Sequence, residues 1–346
     1  MNWFTISQWL IKWFYPLAAI LLTVSSILVW NYFQTSATPD PIVNETVEIV
    51  VVNEPIQPIP LEIKLNEPKV KLGEQLFYEP QLSGKNQFSC ATCHNLAAGG
   101  VDGLPRSRTG NDEIWAINTP TVFNSIFNFK QNWSGSANNL EQQIERSIYN
   151  PKSMNSNWDE IISKLQKNPE YVEAFKKNYP DGLTSNNIKD AIATFERSLI
   201  TPNSRFDQFL LGNTGALSAE EQEGYHLFKA YGCVSCHQGI NIGGNMFQAF
   251  GVIGEYFNDR GDIKKEDLGR FNVTKDERDR YVFKVPSLRN IALTAPYFHD
   301  GSATTLEAAV AYMAQYQLGR QLTAEKTALI VKFLKTTTGE YKGDRL

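Results

Sequence analysis

Two five-residue stretches hold the residue types most able to do chemistry. Cys90-Ala91-Thr92-Cys93-His94 and Cys233-Val234-Ser235-Cys236-His237 contain all four cysteines of the chain, and each pair is followed at once by histidine. Two thiols separated by two residues and trailed by an imidazole form the attachment pattern of c-type haem. The thiols make thioethers to the vinyl groups and the histidine ligates iron. The spacing fits one helical turn. A zinc site would need four nitrogen or sulfur ligands close together, and a thioredoxin-like pair would not need both histidines. The pattern therefore points to two covalently bound haems.

The elements that must position these motifs are helical and duplicated. Gly73-Glu74-Gln75-Leu76-Phe77 precedes the first motif, and Gly224-Tyr225-His226-Leu227-Phe228 precedes the second in the same frame. Each reads as a short helix that sets a Leu-Phe pair against the haem, and Ser218 with Glu221 forms a capping box for the second. Apolar residues recur at helical spacing at Ile188, Ala191, Ile192, Phe195 and Leu199. They do so again at Leu306, Ala309, Val310 and Met313, and at Leu329, Ile330, Phe333 and Leu334 before Gly339. Strand signals are scarce. The expected fold is mostly α, with two cytochrome-c-like haem domains over 67–202 and 203–346 that divide near Thr201-Pro202-Asn203.

With a histidine on one face of each iron, the sixth ligand separates electron transfer from chemistry. Outside the two motifs the histidines are His226 and His299, and beyond Met1 the methionines are Met154, Met246 and Met313. Met313 falls on the apolar face of its helix, where a thioether could reach a buried iron and raise its potential. A core methionine is the alternative. His226 reads as a surface residue. His299, in Ala295-Pro296-Tyr297-Phe298-His299-Asp300-Gly301, has rigid and aromatic neighbours that suggest burial near a cofactor.

The chain has 346 residues, enough for two domains and extra segments. With 33 basic against 37 acidic residues and no long basic run, it offers no phosphate-binding face, which argues against a nucleic-acid partner. From Trp13 to Pro39 no residue is charged, and Phe14 to Trp30 is almost wholly apolar, near the roughly 20 residues that cross a bilayer core. Trp3, Trp9, Trp13 and Trp30 flank this run like an interfacial belt. Residues 1–34 therefore read as a single N-terminal transmembrane anchor, and a cleaved signal peptide is the competing reading. Lys12 on one side and the acids after Asp40 on the other place the N-terminus in the cytoplasm and the rest outside. Residues 35–66, with Pro39, Pro41, Pro55, Pro58 and Pro60, read as an extended Pro-rich tether with a reach on the order of 90 Å.

Four ordered blocks resemble a known family: Glu74 to Gly100 (EQLFYEPQLSGKNQFSCATCHNLAAGG), Thr119 to Asn124 (TPTVFN), Thr201 to Phe206 (TPNSRF) and Phe283 to Gly301 (FKVPSLRNIALTAPYFHDG). They are similar to bacterial dihaem cytochrome c peroxidases, whose superfamily includes the methylamine-utilisation dihaem enzymes, over roughly residues 58–346. The resemblance implies a periplasmic enzyme that reduces hydrogen peroxide with electrons from a small cytochrome or cupredoxin. Electrons would enter at the haem of Cys233, Cys236 and His237, with Met313 matching the distal methionine. They would pass the tryptophan between the haems, matched by Trp133, to the peroxidatic haem of Cys90, Cys93 and His94. An inter-haem calcium site matches Asn118, Thr294 and Pro296, the distal glutamine matches Gln143, and family members often form homodimers.

The chain departs from the family pattern at two places. The loop position that carries a distal histidine in many members falls on Gly110, and no histidine occurs from residue 95 to 225. The expected consequence is a first haem that is five-coordinate or water-bound at rest and needs no reductive opening, with Met154 as an alternative ligand. The family's acid-base glutamate precedes a methionine in an Asn-Pro-x-Glu-Met frame, and here the chain reads Asn150-Pro151-Lys152-Ser153-Met154. Ser153 takes the catalytic position, but a hydroxyl with a pKa far above neutrality moves a proton between peroxide oxygens poorly. Asp112, Glu113 or Glu141 are candidate substitutes, with solvent exposure as the alternative for each. Peroxidase chemistry with weakened or relocated acid-base catalysis therefore competes with a dihaem electron-transfer or sensing role.

Overall fold

Gly73 and Gly224, at the head of the two repeated frames, show how each half is assembled. The computed structural model describes residues 54–108 and 117–346. Helix α1 (Glu67–Phe77) starts at Asn66, whose side chain accepts from the Lys69 amide, and buries Leu72, Leu76 and Phe77. After α2 (Cys90–Cys93) come α3 (Leu140–Tyr149), α4 (Trp158–Leu165), α5 (Pro169–Asn178) and α6 (Ser185–Ser198). Helix α6 carries the apolar face expected at Ile188, Ala191, Ile192 and Phe195 and crosses α1 at Gly73. A Cβ at Gly73 would lie 1.9 Å from the Ala191 carbonyl oxygen and 2.8 Å from Phe195 Cβ.

The second half repeats this crossing. Helices α7 (Arg205–Leu210), α8 (Ala219–Ala230), α9 (Tyr256–Arg260), α10 (Phe271–Thr274), α11 (Leu306–Leu318) and α12 (Ala324–Lys335) follow. Helix α8 begins with the reciprocal Ser218–Glu221 cap. A Cβ at Gly224 would lie 2.0 Å from the Leu329 carbonyl oxygen and 3.0 Å from Phe333 Cβ. Residues 191 and 195 of α6 thus correspond to 329 and 333 of α12. Only hydrogen at these two positions lets the helix axes approach so closely.

Strand is confined to two antiparallel pairs among the described residues. In β1 (Phe247–Ala249) and β2 (Val282–Lys284), Phe247 faces Lys284. In β3 (Glu340–Tyr341) and β4 (Asp344–Arg345), Glu340 faces Arg345. One apolar cluster is drawn from residues 72–193 and another from Phe206 to Leu334, with Ile56 added to the second.

The chain ends cross between the halves. Tyr341 packs on Phe123 with ring centroids 5.2 Å apart, and Lys342 reaches Glu74 at 2.9 Å. At the other end, the last part of the stretch expected to be a free tether is docked. Ile56 and Ile59 are buried, the Arg289 guanidinium donates to the Gln57 carbonyl at 2.8 Å, and the Ile59 amide donates to Asp207 at 3.2 Å. Proline sets extended backbone there, but the isoleucines between the prolines find a core, so residues 54–59 form a strap. The expected anchor, the rest of the tether to residue 53, Gly110, Asp112 and Glu113 lie outside the described residues. Among the described residues no helix is long and apolar enough to cross a membrane.

Gly73→Ala and Gly224→Ala force the crossing helices apart. Each is expected to cost about 1–3 kcal/mol of stability, read as a lower denaturant midpoint.

Candidate haem sites

Each CxxCH motif sits in a tight turn of helix. Ser89 and Thr92 cap α2 reciprocally, and the His94 amide donates to the Cys90 carbonyl at 2.9 Å. Cys233–Ser235 make a 3₁₀ turn entered through Gly232 at φ +89°, and the His237 amide donates to the Cys233 carbonyl at 3.0 Å. All four cysteines are unpaired. Burial pushes the Cys93 and Cys233 thiols up to about 11 and Cys90 further, so the sulfurs stay protonated at neutral pH.

Both histidines are oriented through the same ring nitrogen. His94 Nδ1 lies 3.2 Å from the Gly100 carbonyl, and His237 Nδ1 lies 3.2 Å from the Ile242 carbonyl. A carbonyl only accepts, so each Nδ1 carries the proton and each Nε2 keeps its lone pair. Burial lowers the pKa of both rings, His237 to about 4, which keeps the imidazoles neutral as metal ligands must be.

The carbonyls of Pro120 and Pro286 also act on the two rings, and they reveal a second repeat that the sequence reading missed. Pro120-Thr121-Val122-Phe123-Asn124 and Pro286-Ser287-Leu288-Arg289-Asn290 fold alike. The Thr121 hydroxyl donates to the Gly99 carbonyl at 2.7 Å and accepts from the Phe123 amide. The Ser287 hydroxyl donates to the Asn241 carbonyl at 2.9 Å and accepts from the Arg289 amide. Asn124 and Asn290 are both left-handed, at φ +59° and +57°. Asn124 Nδ2 and Asn290 Nδ2 both donate to the Thr201 hydroxyl, at 2.7 and 3.0 Å.

The repeat continues through Trp133-Ser134-Gly135-Ser136-Ala137 and His299-Asp300-Gly301-Ser302-Ala303. Each loop is closed by an antiparallel bridge, Gln131 to Ala137 and Tyr297 to Ala303. Counting on from Ala137 and Ala303 pairs Leu140 with Leu306, Gln143 with Ala309, and Ser147 with Met313. The repeated Pro-x-x-x-Asn and Gly-Ser-Ala strings were the available signal.

One cavity of ~280 Å³ reaches both His94 and His237 and is lined by Met313, Gln143 and Trp133. Met313, half-buried on α11, shares it with His237 as its helical spacing suggested. The Trp133 indole donates to the Asn118 carbonyl at 3.0 Å, and its ring meets His299 edge-on with centroids 6.5 Å apart. His299 is buried in the cavity wall, where its Nε2 is bound to Asp267 at 2.7 Å and is not available to an iron. Asn118, Thr294 and Pro296 line the same cavity. His226 is exposed.

Ser153 is half-buried in the turn after α3 and is not part of the cavity lining, and Met154 belongs to the first apolar cluster. Glu141 is held by Arg197 at 2.6 Å. Asp267, His299 and Asp300 lie close enough to suggest a metal centre, but the Arg260 guanidinium donates to both carboxylates, at 3.1 and 2.6 Å. His299 and Asp267 pair with each other, and Arg260 and the Ser302 amide satisfy Asp300, without an ion.

Lys284 is a further residue that the sequence did not single out. Its side chain lines the cavity, burial pushes its pKa down to about 8, and no carboxylate among the described residues pairs with it. Unpaired thiols, lone-pair imidazoles and a buried unpaired ammonium fit a c-type haem, which takes thioethers and an axial nitrogen and carries carboxylates.

The comparisons with known proteins agree with this donor set. The family model for di-haem cytochrome c peroxidases matches residues 67–215. The chain is 45% identical over 293 residues to the cytochrome c551 peroxidase of Nitrosomonas europaea, covering 84% of this chain and 86% of that one. The chain belongs to the dihaem cytochrome c peroxidase family. It is also 48% identical over 290 residues to the cytochrome c peroxidase Ccp of Escherichia coli (strain K12), covering 84% of this chain and spanning 62% of that protein. Among solved structures, a MauG-like protein associated with microbial copper homeostasis superposes with a TM-score of 0.70 at 28% identity, covering 83% of this chain and 94% of that one. The dihaem peroxidase fold therefore accounts for the duplicated helix crossings and the paired CxxCH motifs together.

Burial opposes ionisation of Asp267, but hydrogen bonds from His299 and Arg260 outweigh it and hold this carboxyl well below the usual range. A depressed folded pKa contributes stability that is present above the ordinary carboxylate value, about 4, and is lost as pH falls below it. Asp267→Asn is therefore expected to flatten the acid limb of a plot of denaturant midpoint against pH.

Proposed function

We propose that the chain reduces hydrogen peroxide to water with electrons drawn from a small cytochrome or cupredoxin. The carrying observation is the unequal furnishing of equivalent positions in the duplicated frame. Met313 shares a cavity with His237, whereas the matching position in the first half is Ser147, whose hydroxyl accepts from Gln143 Nε2 at 3.0 Å. A thioether suits a closed electron-transfer site, and a position without sulfur or imidazole suits an open one.

Haem, when bound, supplies the one-electron couples and, at an open iron, the place where peroxide binds. Cys90, Cys93 and His94 hold the first group, and Cys233, Cys236, His237 and Met313 hold the second. Gln143 presents an amide to the His94 end of the cavity. Trp133, fixed by its bond to Asn118 and its contact with His299, bridges the space reached by both histidines. Lys284, buried in the cavity wall, would offer an ammonium to the haem carboxylates. Asn118, Thr294 and Pro296 offer neutral oxygens of the kind calcium takes.

Residues 1–34 anchor the enzyme on the periplasmic side of the inner membrane, a reading supported by the uncharged run from Trp13 to Pro39. Pairing into a homodimer belongs to the same reading on family grounds. Ser153, in place of the family glutamate, favours a second reading in which the haems carry electrons or sense a ligand without turning over peroxide.

Steady-state oxidation of a reduced small cytochrome by peroxide, with and without prior half-reduction, separates the two. Rapid turnover without pre-reduction is expected, and fast electron uptake with no turnover would favour the second reading. Met313→Ala is expected to lower the potential of the second haem and remove its thioether-to-iron absorption.

A further inference from the structure

The duplicated frame contains one substitution that costs stability and has no packing rationale. Residue 196 of α6 corresponds to residue 334 of α12, because Phe195 and Phe333 occupy the same place at the two glycine crossings. The second half has Leu334 there, and the first half has Glu196. Both side chains line the cavity, Glu196 together with His94, Leu140 and Gln143. Glu196 is 5% exposed, and its Oε2 has no hydrogen-bond partner. A buried carboxyl with an unpartnered oxygen, where the other half has leucine, carries a desolvation cost.

The charged groups around it are committed elsewhere or point away. On α6 itself, Arg197 is bound to Glu141 of α3, Lys189 to Glu145 of α3, and Asp190 to Lys69 of α1. Glu74 of α1 is bound to Lys342, while Glu67, Lys71 and Arg146 are exposed. Burial is the largest influence on Glu196, raising its pKa to about 8. Arg197 opposes this and Glu141 adds to it. The group therefore holds its proton at neutral pH and can release it at little cost. Its nearest chemistry is the first motif, since its charge also acts on Cys90.

We propose that Glu196, and not Asp112, Glu113 or Glu141, holds the proton for peroxide cleavage at the His94 end of the cavity. The inference rests on the peroxidase reading. Converting one hydrogen peroxide to two waters breaks the O–O bond and consumes two electrons and two protons. The electrons come from the cytochrome or cupredoxin donor. One proton moves from the Glu196 carboxyl to the departing oxygen, the second comes from solvent, and the resulting carboxylate is reprotonated from solvent. Ser153, outside the cavity lining, then has no proton to handle.

The test uses the full haem-loaded chain with Glu196→Gln and Glu196→Leu. The leucine variant copies the residue the second half already packs at this place, so loss of fold is not expected. Infrared spectra of wild type should show a protonated-carboxyl band that disappears as pH rises through about 8 and is missing from both variants. Peroxide turnover should be high below that pH and fall above it. In both variants it should drop about 10²-fold with the KM for the donor cytochrome and the Met313 absorption unchanged. Absence of the band in wild type, or variants that keep the wild-type rate and pH profile, overturns the role of Glu196 alone. A wild type that takes up electrons yet never turns over peroxide sinks the peroxidase reading and this role with it.

Discussion

Both haem sites depend on a backbone carbonyl held against a histidine Nδ1. The carbonyls of Gly100 and Ile242 choose the tautomer, and those of Pro120 and Pro286 stand on the same rings. Their placement is set remotely. Asn124 and Asn290, each in a left-handed conformation that asparagine tolerates better than most residues, end the two proline segments on one shared hydroxyl, Thr201. Thr201 is fully buried between the halves. A single side chain therefore ties the two axial histidines to a common reference.

On that common frame four of the positions at which the two halves differ stand at or beside the cavity. Trp133 stands where the second half has His299, Gln143 where it has Ala309, Ser147 where it has Met313, and Glu196 where it has Leu334. Apart from the Trp133 and His299 pair, the second half is completed with sulfur and hydrocarbon, and the first with amide, hydroxyl and carboxyl. Duplication preserved the scaffold, while the substitutions made the His94 end of the cavity polar and left the His237 end suited to carrying electrons.

The attachment motifs were fully legible because five adjacent residues contain the whole pattern. The helices of the glycine crossings were legible too, since α1, α6, α8 and α12 announce themselves by capping residues and 3.6-residue periodicity. Other features needed three dimensions. The Pro-x-x-x-Asn repeat shares only two invariant residues and became visible when its hydrogen bonds proved identical. Glu196 lies beside Arg197 in an amphipathic helix, where an acid ordinarily faces water. Residues 54–59 have the composition of a linker, and composition does not register that Ile56 and Ile59 have a core to enter. His299 was legible as buried, but its partner Asp267 is 32 residues away in sequence.

The strap formed by residues 54–59 also bears on the order in which the molecule is made. Its contacts are among the most distant in the chain, with 148 residues separating Ile59 from Asp207 and 232 separating Gln57 from Arg289. A segment synthesised early must therefore wait for nearly the whole polypeptide before it can dock, and such non-local closures come late in folding. Ile56 bridges Gly239, just beyond His237. The loop that follows Cys233 and Cys236 thus lacks the full hold of its strap until residue 289 has emerged.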